Sequence, residues 1–303
     1  MRSSLLAAMM LLLPLAVSLA AFLGLAPDFA LAANPLSVVT SNTVLADLVA
    51  NVGGEKVQVR SLAPAGTDPH TFQPTPDSIK TLSQARVVFF NGSGLEEWWG
   101  KTIRSVKKTD VPVIELSEGL ATIRMPGQNG GYDPHVWLDP NLVKAYVDKI
   151  RDALSQADRA NAGFYADRAK AYQVKLDDLD AWIRAEVEKI PTARRKIVTF
   201  HDAFQYFAKR YGLAIKGFVV VSPGKEPSAK ALAGLTRRIK EEQIPAVFAE
   251  ADFSPKMLQV LAKDTGVKVV TNLYDGSLSS GPPADTYINM LRHNVTQTVN
   301  ALQ

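Results

Sequence analysis

The chain has 303 residues, no cysteine, 47% hydrophobic residues and a formal net charge of +4. Without cysteine it forms neither disulfides nor thiolate metal sites, so its stability has to come from packing and any metal site from nitrogen and oxygen donors. Positive and negative residues are interspersed, as in Lys175-Leu176-Asp177-Asp178, and no basic patch with interleaved aromatics marks a nucleic-acid surface.

Residues 1–32 read as an export leader. Arg2 supplies a small positive start, residues 5–26 are almost wholly apolar, and Ala30-Leu31-Ala32 fits a small-x-small cleavage site. An apolar run of about 20 residues is also long enough to span a bilayer. Pro14, Ser18 and Gly24 interrupt it, however, and the cleavage pattern favours removal. No cysteine stands near the cut, so lipid attachment there is chemically impossible. The expected product is a soluble periplasmic protein beginning near Ala33, long enough for two lobes.

Beyond the leader, short β-branched runs alternate with amphipathic segments. Strands are expected at 37–41, 57–62, 87–91 and 112–116, then at 196–200, 215–220, 246–249 and 268–271. Helical patterns fall at 43–52, 75–83, 226–242 and 254–265. Such alternation argues for an α/β fold with parallel sheets flanked by helices. Four strands, a gap and four more imply two similar lobes, each with a four-stranded, mainly parallel sheet. The expected division is an N-terminal lobe over 33–155, a linking spine helix over 156–191 and a C-terminal lobe over 192–303.

The gap carries its own signal. Tyr165, Ala169, Tyr172, Leu176, Leu179, Ile183, Val187 and Ile190 follow one another at steps of three or four, with charged residues between them and Pro191 at the end. That stripe predicts one helix of about 30 residues, roughly 45 Å long. A coiled-coil dimer stripe is the alternative, but the pattern is shorter than four heptads. Earlier in the chain, the turn-rich stretch 123–132, which leads directly into Asp133-Pro134-His135, reads as a mobile surface loop.

The chain has only four histidines. Two stand in identical tripeptides, Asp68-Pro69-His70 and Asp133-Pro134-His135, and a third follows a strand in Phe200-His201-Asp202. Ligands in open parallel sheets bind outside the carboxyl ends of strands. His70, His201 and Asp275 all fall after strands, and His135 follows the 123–132 loop. Proline fixes its own backbone and biases the preceding residue toward extended geometry, which holds the following histidine in a defined loop. Three histidines and a carboxylate make a full ligand set for a tetrahedral divalent metal. Asp68, Asp133 and Asp202 are candidate acceptors for the second ring proton of those histidines. His293, inside a C-terminal helical pattern, reads as structural.

Several stretches together carry a family resemblance: residues 68–76 (Asp-Pro-His-Thr-Phe-Gln-Pro-Thr-Pro), 90–98 (Phe-Asn-Gly-Ser-Gly-Leu-Glu-Glu-Trp), 133–140 (Asp-Pro-His-Val-Trp-Leu-Asp-Pro) and 200–207 (Phe-His-Asp-Ala-Phe-Gln-Tyr-Phe). Glu226-Pro227-Ser228-Ala229, Val247-Phe248-Ala249-Glu250, Asp285-Thr286-Tyr287 and Arg292-His293-Asn294 extend it over essentially all of the mature chain. The sequence resembles the zinc- or manganese-binding substrate-binding proteins of bacterial ABC importers. The resemblance implies two α/β lobes joined by a long helix that resists hinge opening. It implies metal ligands at His70, His135 and His201 and an acidic residue after the last strand. Family members often show Leu-Tyr-x-Asp there. This chain reads Leu273-Tyr274-Asp275, one position out of register, so Asp275 is the choice and Glu250 the alternative.

The resemblance further implies a monomer that captures Zn(2+) and delivers it to an ABC permease with its ATPase, with a periplasmic metallochaperone as a further partner. A histidine at the third position, where many manganese members place a glutamate, favours zinc. The short, histidine-free loop before the second Asp-Pro-His removes one marker of zinc, and Mn(2+) is the alternative cargo. A zinc-dependent hydrolase is the alternative of another class. It needs an open metal position and a general base, and the chain has no His-Glu-x-x-His pair.

Overall fold

The computed structural model describes residues 34–105, 111–125, 131–221, 223–224, 226–251, 254 and 256–303. The expected leader 1–32 and the middle of the 123–132 loop lie outside the described residues. The flanks of that loop pair through an antiparallel bridge between Arg124 and Tyr132.

Eight strands form two separate sheets, each of four. The first contains β1 (Leu36–Thr40), β2 (Val57–Ser61), β3 (Val87–Phe90) and β4 (Val113–Glu115), in the order β2-β1-β3-β4. The second contains β5 (Lys196–His201), β6 (Ala214–Val220), β7 (Ala246–Glu250) and β8 (Lys268–Leu273), in the equivalent order β6-β5-β7-β8. Every pairing is parallel. All eight strands fall where the β-branched runs predicted them, because parallel strands covered on both faces must be apolar almost throughout. In each sheet the order reverses beside the first strand, and that switch point is where a ligand crevice opens.

The helices are α1 (Thr43–Gly53), α2 (Pro76–Ser83), α3 (Trp99–Ser105), α4 (Pro140–Ala157), α5 (Ala162–Glu188), α6 (Gln205–Tyr211), α7 (Ala229–Glu241), α8 (Lys256–Thr265) and α9 (Tyr287–Leu302). Side-chain caps define several starts. Asn42 accepts the amide of Leu45 at α1, and Thr75 and Ser78 form a reciprocal capping box before Pro76 at α2. The helix expected from residue 226 begins instead at Ala229, because Ser228 is its cap and accepts the Ala231 amide.

Helix α5 spans 27 residues, about 40 Å at 1.5 Å per residue. Its buried residues are Tyr165, Ala169, Tyr172, Leu176, Leu179, Ile183 and Val187, the stripe predicted from spacing. It links the two sheets but is not a bare rod. Helix α4 packs along it, and α9 crosses back to touch both α5 and α1. One hydrophobic core runs from Val38 and Phe89 beside the first sheet, through Leu176 and Leu179, to Phe248 and Val270 beside the second. Residues Pro35–Gln303 accordingly form one compact unit.

Candidate metal centre

The two Asp-Pro-His tripeptides adopt the same turn. Asp68 Oδ1 accepts the backbone amide of His70 at 2.9 Å, and Asp133 Oδ1 accepts that of His135 at 2.9 Å. A carboxylate bonded two residues ahead, with proline between, leaves each histidine ring projecting from a fixed loop. The turns differ in their second bond. Asp133 also accepts the ring Nδ1–H of His135 at 2.7 Å, whereas Asp68 Oδ2 accepts the Thr71 hydroxyl at 2.8 Å.

His201 closes β5. Its carbonyl accepts the Thr199 hydroxyl at 2.7 Å and the Ala203 amide at 3.0 Å, so the chain turns sharply at the switch point. Its Nδ1 lies 3.1 Å from Glu250 Oε1 at the end of β7, the strand beside β5. Its Nε2 lies 3.3 Å from Asp275 Oδ2, two residues beyond β8. Between Val270 and Leu273, β8 carries one residue more than β7 does between Phe248 and Glu250. That bulge lies just before the carboxylate whose position departs from the family pattern.

The ring nitrogens of His70, His135 and His201 thus converge, and Asp275 and Glu250 each approach His201. The Nε2 atoms of His70 and His135 are 3.1 Å apart, and those of His135 and His201 are 3.4 Å apart. Glu250 approaches as well, but on the far nitrogen of His201. Among the described residues, the groups able to hold a cation are His70 with His135 and His201, and His201 with Glu250 and Asp275. All are buried except His70, which is half-buried. Two cavities flank the centre, one of 430 Å³ that includes His70, Trp98 and Lys101, and one of 270 Å³ that includes Asp275, Ser277 and Gly66. A groove of 1020 Å³ between α7 and α8 is lined by no histidine.

Burial, and then the neighbouring imidazoles, hold His70 and His135 well below the usual histidine pKa, so both are neutral ligands near pH 7. Burial also acts against the charged form of His201, but the Glu250 and Asp275 carboxylates outweigh it and raise its pKa to about 10. A protonated His201 therefore sits between two carboxylates, and a divalent cation at Nε2 would take that proton's place. Burial pushes Asp133 up to about 7 against the His135 amide that it accepts.

The expected second partners need correction. Only Asp133 bonds a histidine ring. Asp68 is occupied by the His70 amide and Thr71, and Asp202 accepts the Gln205 side-chain amide at 2.6 Å. The ring partner of His201 is Glu250, which sequence reasoning offered only as a substitute for Asp275. The adjacency of β5 and β7 decides that role, and local sequence carries no trace of it. His293 stands apart, 2.8 Å from the Asn272 carbonyl through Nε2.

Two similar parallel-sheet lobes around a buried nitrogen–oxygen cluster define the class: a substrate-binding protein that takes its cargo between lobes. The chain belongs to the periplasmic zinc-uptake complex component A family, which matches residues 38–301. It is 34% identical over 268 residues to a manganese-binding lipoprotein of Halalkalibacterium halodurans, covering 88% of each chain. It is 30% identical to a manganese ABC transporter substrate-binding lipoprotein of Streptococcus anginosus, covering 88% of this chain and 89% of that one. Among solved structures, the periplasmic zinc-binding protein TroA of Treponema pallidum superposes with a TM-score of 0.83 at 30% identity, covering 88% of this chain and 99% of that one. The chain is therefore the extracytoplasmic metal-binding component of an ABC importer, which works with a permease and its ATPase, and is not an enzyme.

Proposed function

We propose that this protein captures zinc in the periplasm through His70, His135, His201 and Asp275 and delivers it to its permease for import. One observation carries the reading: the ring nitrogens of His70, His135 and His201 converge, with Nε2 spacings of 3.1 Å from His70 to His135 and 3.4 Å from His135 to His201, and Asp275 Oδ2 stands 3.3 Å from His201 Nε2. Donors about 2.0–2.1 Å from a tetrahedral zinc stand roughly 3.3–3.4 Å from one another. A set rich in imidazole suits zinc better than an oxygen-rich one suited to manganese. Charge supports the same reading. Two neutral imidazoles, a third deprotonated on binding, and the carboxylates of Asp275 and Glu250 balance a divalent ion in a buried place.

In this reading the lobes, 33–155 and 192–303, share the ion with two ligands each, and the leader 1–32 is cleaved. The protein acts as a monomer and accepts zinc either free or from a periplasmic metallochaperone. Manganese is the second reading, favoured by relatives named as manganese-binding at 30–34% identity. The deciding experiment offers equimolar zinc and manganese to the metal-free protein and measures what is retained. Zinc retention, reduced in His135→Ala and Asp275→Ala, is expected. Retention of manganese over zinc overturns the choice of metal, and unchanged binding in Asp275→Ala removes Asp275 from the ligand set.

A further inference from the structure

Both Asp-Pro-His turns present the carbonyl of their proline to the same loop. That loop is residues 91–98, Asn-Gly-Ser-Gly-Leu-Glu-Glu-Trp, between β3 and α3. Asn91 at its start donates from Nδ2 to the Pro134 carbonyl at 3.0 Å. Trp98 at its end donates from the indole Nε1 to the Pro69 carbonyl at 2.9 Å. Each of these carbonyls shares a peptide plane with the amide of a site histidine, and each amide is already bonded to an aspartate of its own turn. Because the peptide unit is planar, bonds at both its oxygen and its N–H fix the tilt of the plane, and with it the direction in which the histidine side chain leaves. The Pro69–His70 plane is held by Trp98 and Asp68, and the Pro134–His135 plane by Asn91 and Asp133.

The loop is a firm base for these two bonds. The buried Glu96 carboxylate accepts the Ser41 hydroxyl at 2.6 Å and the amides of Asn91 and Gly92 at 2.9 and 3.0 Å. The Tyr146 hydroxyl donates to Asn91 Oδ1 at 2.6 Å, which orients the side-chain amide so that its nitrogen faces Pro134. Phe72 and Trp99 pack edge-on against the Trp98 ring, with centroids 5.1 and 5.7 Å away. Gly92 has φ of 88° and lies against the Glu115 side chain, so a Cβ there would collide with it.

We propose that the 91–98 loop is a two-point clamp that sets the separation of the His70 and His135 Nε2 atoms and so biases the site toward four-coordinate ions. Asn91 and Trp98 are its positioning residues. The inference rests on the reading of His70, His135, His201 and Asp275 as the ion site. Loosening either bond frees one histidine to retreat, which costs a small tetrahedral ion more than a larger one that accepts water in place of a ligand.

The test compares Trp98→Phe, which keeps a ring but loses the donor, Asn91→Ser, and Trp182→Phe, on α5 beneath the Arg292 guanidinium, as a control away from the loop. Each is titrated with zinc and with manganese, and the visible absorption of bound cobalt(II) is recorded because its intensity reports four-coordination. Trp98→Phe and Asn91→Ser are expected to lower zinc affinity about ten- to a hundred-fold, to lower manganese affinity less, and to weaken the cobalt bands. Trp182→Phe should do none of these. On a His70→Ala background, Trp98→Phe should add no further loss, since its only effect runs through His70. The clamp is overturned if Trp98→Phe keeps the wild-type zinc-to-manganese ratio and cobalt spectrum, or if its loss is the same without His70. A wild-type protein that retains neither metal overturns the site reading itself, and the clamp with it.

Discussion

At the scale of single residues, Glu250 is a group outside the proposed ligand set that touches one of its members. Its carboxylate meets His201 Nδ1 at 3.1 Å, leaving Nε2 to face the centre. In the proposed site it is one of the two carboxylates beside the ion. Glu250→Gln should keep the four donors in place yet lower zinc affinity about ten- to a hundred-fold, read by competition with a chelator. Affinity equal to wild type would show that Glu250 contributes neither charge nor orientation. The pH dependence follows from the same residues. His70 and His135, held below 6.5, favour the folded state when neutral. Their contribution is present above pH 6.5 and is lost as pH falls below it. His201, raised to about 10, contributes fully below pH 6.5 and loses its contribution as pH rises through about 10. Between those limits zinc must displace the His201 proton, so capture near pH 7.5 should release about one proton per ion. Calorimetry in two buffers of different ionisation enthalpy counts it, and a count of zero would contradict a protonated His201. The three converging histidines were legible because histidine is scarce in this chain. Asp275 was legible only as the sole acidic residue between Asp264 and Asp285, one position out of the family register. The role of Glu250 was hidden because strand order, not chain order, puts β7 beside β5.

At the scale of elements, the strands and α5 were readable because burial on both faces and burial along one stripe each leave a period in the sequence. Helix α4 was not among the anticipated helices, although its signals are present. Asp139 caps it, Pro140 occupies its first turn, and Val143, Tyr146, Val147, Ile150 and Leu154 make its buried stripe. Its partner α5 accounts for its place, and nothing local states that partnership. The joint between these helices and the second lobe is polar. Asp180 on α5 accepts Arg210 Nε and Nη2 at 2.7 and 2.8 Å and the Tyr211 hydroxyl at 2.7 Å, and Arg210 also reaches Asp139 Oδ1 at 3.1 Å. Burial opposes the Asp180 charge, but the Arg210 and Tyr211 bonds prevail and lower its pKa to about 2. Its contribution is therefore present above pH 3.8 and lost as pH falls through about 2. Asp180→Asn should cost roughly 1–2 kcal/mol after discounting for solvent, measured by urea unfolding near pH 7. A midpoint unchanged from wild type would mean that the joint adds nothing to stability.

At the scale of the whole molecule, the two halves are stitched on both sides of the centre. The Ser277 hydroxyl accepts the Gly66 amide at 2.8 Å and lies 3.3 Å from the Thr43 hydroxyl, which itself accepts the Leu278 amide at 2.8 Å. The Trp137 indole donates to the Asp275 carbonyl at 2.6 Å, and the Tyr287 hydroxyl donates to the Trp137 carbonyl at 2.7 Å. Gly276 lies against the Pro69 ring, close enough that a Cβ would collide with it. The segment carrying Asp275 is therefore held by the first half of the chain even though it follows the last strand of the second. With a core continuous across both sheets, wide opening would expose buried apolar area at about 25 cal/mol per Å². Loading should consequently act by local adjustment of the histidine loops. Two measurements on one sample separate this from a hinge. Saturating zinc at about a thousand times its dissociation constant should add about 4 kcal/mol to stability and raise the melting temperature. Over the same titration the radius of gyration from solution scattering should change by less than about 1 Å, the scale of motion in preorganised binding. A melting temperature that rises together with a clear contraction would show that the stitched halves part when the ion leaves.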